Sequence, residues 1–180
     1  WRSNAVDTPA DAIVEGGYPN VYAYRFDWDE QPNILGMDFS FLLGAGHGLE
    51  IPFVMGDFDF GKQTRFLFTK KNEYERNKLS KVIMQYWAHF AKKGYPSNES
   101  ENITLWDKWP KGGINQNRIM ILDTEQSNAP RMSNGYVPHN KLVTIFENDE
   151  RSLKVDNKCN FLEDVYSWVD NWKSKNNFCQ

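Results

Sequence analysis

Cysteine is almost missing from this chain, with only Cys159 and Cys179 among 180 residues. Two are too few for a disulfide scaffold, and no CxxC spacing marks a zinc site or a redox pair. They fit either one local bridge or two free thiols. Long apolar runs are missing as well. The longest, such as Phe41–Leu43 and Ile119–Leu122, are strand-sized, against the ~20 residues that a membrane span needs. Trp1–Ala10 carries no apolar stretch of the signal-peptide kind. Nor does one sign of charge dominate. The 21 Lys+Arg against 24 Asp+Glu leave a formal charge of −3, which argues against a nucleic acid or an anionic membrane as the main partner. A Gly-rich phosphate loop, HExxH, an EF-hand loop and a GxSxG nucleophile elbow are all lacking. No cofactor and no metal is called for.

What is abundant is aromatic. Phe, Tyr and Trp make up 15% of the chain, which opposes disorder, and the length suits one domain. Thr8-Pro9-Ala10-Asp11 reads as a helix start, with Thr8 as cap and Pro9 in the first turn, and Gly16-Gly17 as its stop. Val21–Trp28 alternates as a strand, with Val21, Ala23 and Arg25 on one face and Tyr22, Tyr24 and Phe26 on the other. A helix followed by a strand suggests α/β layering. Asp27–Gly36 reads as a polar loop, and Asp57–Thr69 as a loop with exposed aromatics. Asn72–Lys93 is the strongest helix. Leu79, Val82, Ile83, Tyr86, Trp87, Phe90 and Ala91 recur at three-four spacing, and Gly94 ends it. Tyr95–Gly113 is loop-like. Arg118–Leu122 reads as a short strand, with a second ending near Ser133. Leu142–Phe146 fits a strand, and Asn160–Trp172 a C-terminal helix. Asn98-Glu-Ser100 and Asn102-Ile-Thr104 match the glycosylation pattern, which chance also produces.

Of three histidines, His89 lies within the long helix and His139 in a polar segment, so neither position signals chemistry. His47 differs, because it sits in Gly44-Ala-Gly-His-Gly-Leu-Glu50. Glycines at 44, 46 and 48 allow positive φ and close approach. A histidine on such a loop is placed to face a cleft. A helix starting near Leu49 would disfavour the imidazolium, keeping a general base neutral. The alternative is a Gly-rich turn with an incidental histidine.

Gly46-His-Gly-Leu-Glu-Ile-Pro-Phe-Val-Met-Gly56 resembles a hallmark of the type-B carboxylesterase/cholinesterase family. Further segments match in order. Val21–Phe26 resembles the strand before the histidine loop. Tyr86-Trp-Ala-His-Phe-Ala-Lys-Lys-Gly-Tyr-Pro96 resembles a helix end, and Trp106-Asp-Lys-Trp-Pro110 a Trp-Pro turn. Arg118–Thr124 resembles a following strand, and Cys159-Asn-Phe-Leu with the last Trp-bearing helix resembles the C-terminal helix. The resemblance implies an α/β-hydrolase fold, with residues 1–180 as the C-terminal portion of a single domain whose N-terminal portion precedes Trp1. It implies that His47 is the histidine of a Ser-His-Glu/Asp triad. The GxSxG serine and the acid would then come from the N-terminal part, acting with His47 on a small ester. Gly46 and Gly48 would support the loop, and Glu50 would match a buried glutamate that structures the site. Gly94–Pro96 and the Trp106–Pro110 turn would be packing. Cholinesterases often bridge the helix cysteine to one well upstream, but here none precedes Cys159. The Arg-Phe-Asp-Trp-Asp run at 25–29 is closer to bacterial esterases. Some relatives lack the nucleophile, so a noncatalytic binding or adhesion module is the competing expectation. Strand Val21–Trp28 is expected to lack both neighbours in this chain.

Overall fold

The computed structural model describes residues 2–59, 61–62, 64–98, 102–112, 115–137, 139–149, 160–161 and 164. Contacts divide the chain into a larger unit, Ala10–Gly135, and a smaller one formed by Trp1–Pro9 and Tyr136–Gln180.

The larger unit is built on a three-stranded mixed sheet. Strand β1 (Ala23–Phe26) runs parallel to β4 (Ile119–Leu122), which runs antiparallel to β5 (Arg131–Ser133). Ala23 faces Ile119 and Phe26 faces Leu122. All four residues of β4 are buried, as suits a central strand covered on both faces. So β1 does have one neighbour in this chain, contrary to expectation. Its other edge is unpaired among the described residues.

Helix α1 (Thr8–Glu15) ends before Gly16 as expected, but Thr8 does not cap it. A wider π-type turn over Ser3–Asp7 runs straight into Thr8, whose φ of −66° and ψ of −47° are helical. A residue inside a continuous helix has no free first turn to cap. In the smaller unit Asp7 is buried, facing Arg2 at 3.4 Å and accepting the Val137 N–H at 2.9 Å.

The expected polar loop after β1 contains β2 (Asn33–Ile34), paired with β3 (Met37–Asp38) through the two-residue turn Leu35-Gly36. Both turn residues have positive φ, 53° and 82°, the combination that matches strand twist in a tight hairpin.

Helix α4 (Glu73–Lys93) lies within one residue of the expected span. Its acids Glu73 and Glu75 sit in the first turn and Lys92 and Lys93 in the last, each complementing the helix dipole. Gly94 takes φ +76° and donates its N–H to the Phe90 carbonyl. Leu79, Ile83 and Tyr86 point into a core with Trp28, Phe53, Trp106, Met120 and Leu122. Phe58 and Phe68 were expected in an exposed loop, yet both pack against this core. Their rings lie 5.1 and 6.5 Å from Phe53, so apolar burial draws the loop inward. The Trp-Pro turn is packing, with Trp106 and Trp109 both buried.

Tyr86 is fully buried, and its hydroxyl donates to the Thr104 carbonyl at 2.7 Å. Burial pushes its phenol up to about 12. The folded value lies above the unfolded one, so this contribution is complete below about pH 10, the unfolded phenol value. It is lost as pH rises toward 12. Tyr86→Phe should flatten the alkaline fall of Tm across that window, at a neutral-pH cost of about 1 kcal/mol for the lost hydrogen bond.

In the smaller unit, the expected strand at Leu142–Phe146 is part of a helix, α5 (His139–Asn148). Leu142, Ile145 and Phe146 are spaced i, i+3, i+4, and a short apolar run does not separate that pattern from a strand. Phe146 stacks on Phe161 with ring centroids 5.3 Å apart. Asn160, Phe161 and Asp164 are helical, within the expected C-terminal helix. The rest of that segment, with Cys159 and Cys179, lies outside the described residues. Among the described residues no helix is long and apolar enough to cross a membrane.

Candidate active site

His47 stands on the turn between α2 (Phe39–Leu43) and α3 (Ile51–Met55). Asp38 starts α2 by accepting from the Ser40 and Phe41 N–H groups at 3.0 and 3.3 Å and from the Ser40 hydroxyl at 2.6 Å. Those bonds, the Ser40 hydroxyl first, hold its carboxyl below the usual range. Gly44 ends α2 at φ +51° and ψ −146°, with its N–H on the Ser40 carbonyl, in a region that L side chains rarely adopt. Gly48 takes φ +86°. Gly46 does not have positive φ; it is required for space, since a Cβ there would lie 3.1 Å from the Leu43 carbonyl oxygen. The expectation of positive φ therefore holds at 44 and 48 and is corrected at 46.

The turn closes through Leu49 N–H to the Gly46 carbonyl (3.2 Å) and Ile51 N–H to the Gly48 carbonyl (3.3 Å). Helix α3 starts at Ile51, two residues later than expected, and spans five residues. So short a helix has only a small macrodipole. Instead α3 is an anchor. Phe53 is fully buried, the Ser80 hydroxyl of α4 donates to its carbonyl at 2.8 Å, and Gly56 passes so close that a Cβ would meet the Met84 sulfur at 2.7 Å.

The His47 imidazole is exposed, and none of the described groups hydrogen-bonds it. Glu50 is half-buried, not buried as expected, because it sits just before the start of α3 where the chain is still at the surface. Its backbone carbonyl accepts from Phe53 and Val54. Its carboxylate adds to burial in raising the Tyr24 phenol. Leu35, Phe41 and Met55 are exposed at 95%, 86% and 68%, and Leu42, Leu43 and Ile51 are exposed as well.

Two of the cavities in this unit are sizeable. One of about 210 Å³ is walled by Tyr22, Tyr24, Tyr86, Trp87, Phe90 and Trp106. The other, about 350 Å³, is polar and includes Asp29, Glu30, Gln31, Asn72 and Glu75. His47 lines neither. Phe39 pairs with Phe66 at 5.0 Å, and Phe58 and Phe68 pack against the core. Among the described residues no cluster of His, Cys, Asp and Glu is arranged to hold a metal.

Two further residues carry no mark in the sequence. Gln31 is buried and donates from Nε2 to the Gly44 carbonyl at 2.8 Å. Asp123 closes β4, where its buried carboxyl is pushed up by desolvation, with Asp29 and Glu30 adding repulsion. Nothing local in the sequence marks either, because both roles arise from distant segments meeting.

A family model described as "Carboxylesterase family" matches residues 4–140. The chain belongs to the carboxylesterase family. Its α/β layering is accordingly that of the α/β-hydrolase fold. The acetylcholinesterase of Danio rerio is 29% identical over 167 residues, covering 86% of this chain and 24% of that protein. The para-nitrobenzyl esterase of Bacillus subtilis (strain 168) is 32% identical over 117 residues, covering 64% and 20%. A solved structure named PNB esterase aligns over 63% of this chain and 20% of its own, with 33% identity and a TM-score of 0.44. The chain thus spans about a fifth to a quarter of the length of these relatives.

Proposed function

We propose that this chain is the histidine-bearing part of a serine carboxylic-ester hydrolase, and that residues 1–180 form the C-terminal portion of its α/β-hydrolase domain. The observation that carries this reading is the placement of His47. It is an exposed imidazole on a glycine-shaped turn that leads into a helix fastened to the core, inside the stretch that the carboxylesterase family model matches. An exposed loop histidine on a rigid scaffold is available for proton transfer.

The partner in this reading is the N-terminal part of the same hydrolase, which brings the GxSxG serine, the Glu or Asp and the oxyanion donors. The serine oxygen bonds to the ester carbonyl carbon while His47 takes the hydroxyl proton. As the carbonyl–alcohol bond breaks, His47 returns that proton to the departing alcohol. Water then repeats the sequence on the acyl-serine and releases the acid. Gly46 and Gly48 hold the turn, and Glu50 supports its far end. The exposed apolar residues that flank the turn in sequence, Phe41–Leu43 and Ile51, suit contact with that partner.

The test uses the whole protein that carries this chain, with a short-chain aryl ester as probe. Turnover that depends on His47 supports the reading. Whole protein that binds but does not turn over esters would place the chain with the noncatalytic modules instead.

A further inference from the structure

Resting on the assignment of His47 as the proton-transfer residue, we infer that Gln31 is a positioning residue for that histidine. Among the described residues, its side-chain amide is the tether that ties the Gly44–Gly48 turn to the carboxyl end of β1 across 13 residues of sequence.

The argument starts at Gly44. Its N–H is held by the Ser40 carbonyl and its C=O by Gln31 Nε2 at 2.8 Å. Both polar groups at the entry of the turn are therefore fixed, in a backbone conformation that few residues adopt. The other bonds of the turn are local, spanning three residues each. They shape the turn and do not locate it on the sheet. Gln31 supplies that location.

The segment that carries Gln31 is itself well held. Gln31 is 95% buried and precedes Pro32, which confines its backbone to extended conformations. Trp28, three residues earlier, is fully buried in the core. The Glu30 carboxylate accepts from the Thr124 hydroxyl at the end of β4. The Glu30 carbonyl accepts from Asn72 Nδ2 at 3.0 Å, and Asn72 Oδ1 in turn accepts from Arg76 of α4 at 2.5 Å. Hydrogen bonds from the first turn of α4 thus reach Glu30, and its chain neighbour Gln31 carries the link on to Gly44, three residues before His47. Misplacing a catalytic group by about 1 Å can cost on the order of 10²-fold in rate. A buried amide that fixes the root of the turn is placed to prevent that.

The experiment is a double-mutant cycle in the whole protein, with p-nitrophenyl acetate as substrate. Gln31→Met keeps the stem and removes the donor. Gln31→Glu keeps length and polarity and has no donor when ionised. Each is made alone and with His47→Gln. We expect each single variant to lower kcat by about 10–100-fold with KM within about twofold, on the scale of such misplacement. In the His47→Gln background the same change should add nothing, because a residue acting through another is non-additive with it. An equal loss in both backgrounds, or unchanged kcat in the single variants, would overturn the inference while leaving His47 in place. An active His47→Gln protein would remove the underlying assignment, whatever Gln31 does. Thermal melting screens for folding, and either of the two Gln31 variants suffices to read the cycle.

Discussion

Replacing His47 by glutamine in the whole protein is expected to lower kcat by about four to six orders of magnitude, with KM little changed, on the scale of triad knockouts. Glutamine keeps bulk and polarity and removes the basic nitrogen. The turn should survive, because Gly44, Gly46 and Gly48 set its backbone and the imidazole makes no hydrogen bond to a described group. The loss therefore falls on proton transfer. Stopped-flow and steady-state hydrolysis of a short aryl ester measure it, with circular dichroism as a control. Near-normal turnover would end the assignment of His47.

The second large effect is on stability. Phe53→Ala should destabilise the protein by about 3–5 kcal/mol, the usual range for removing a fully buried phenylalanine. The ring touches Phe26 and Trp28 at 5.0 Å and Phe58 at 5.1 Å, so its loss leaves a cavity walled by aromatic rings. Such rings are large and flat and refill a hole poorly. Denaturant titration reads the change as a lower midpoint at constant slope. Because α3 follows the His47 turn directly, the same variant should lose ester turnover at temperatures below its own melting. A midpoint shift of under 1 kcal/mol would show that Phe53 is not the anchor described.

Some of this was legible in the sequence, and the reasons are physical. Helix α4 could be read to within one residue because a long apolar stripe repeats with period 3.6 and Gly94 ends it. Strand β4 showed as a short apolar run. The turn around His47 showed through its glycines. What stayed hidden depended on tertiary contact. Phe58 and Phe68 sit in an irregular segment with no period to report their burial. The Leu142–Phe146 run in α5 suited either period. The half-burial of Glu50 depends on where α3 begins. Gln31 reads as loop polarity until Gly44 is found 2.8 Å away.

Leu35 stands at the tip of the β2–β3 hairpin. Leu35 combines φ +53° with 95% exposure. A left-handed conformation costs a residue with a Cβ roughly 1–2 kcal/mol, and a side chain left in water gains nothing from burial to offset it. Asparagine or glycine would serve a two-residue hairpin better. The folding of this segment alone would therefore not choose leucine here. Substituting asparagine should make the isolated chain more stable and less adhesive, and anything it impairs in the whole protein would reveal what the leucine is for.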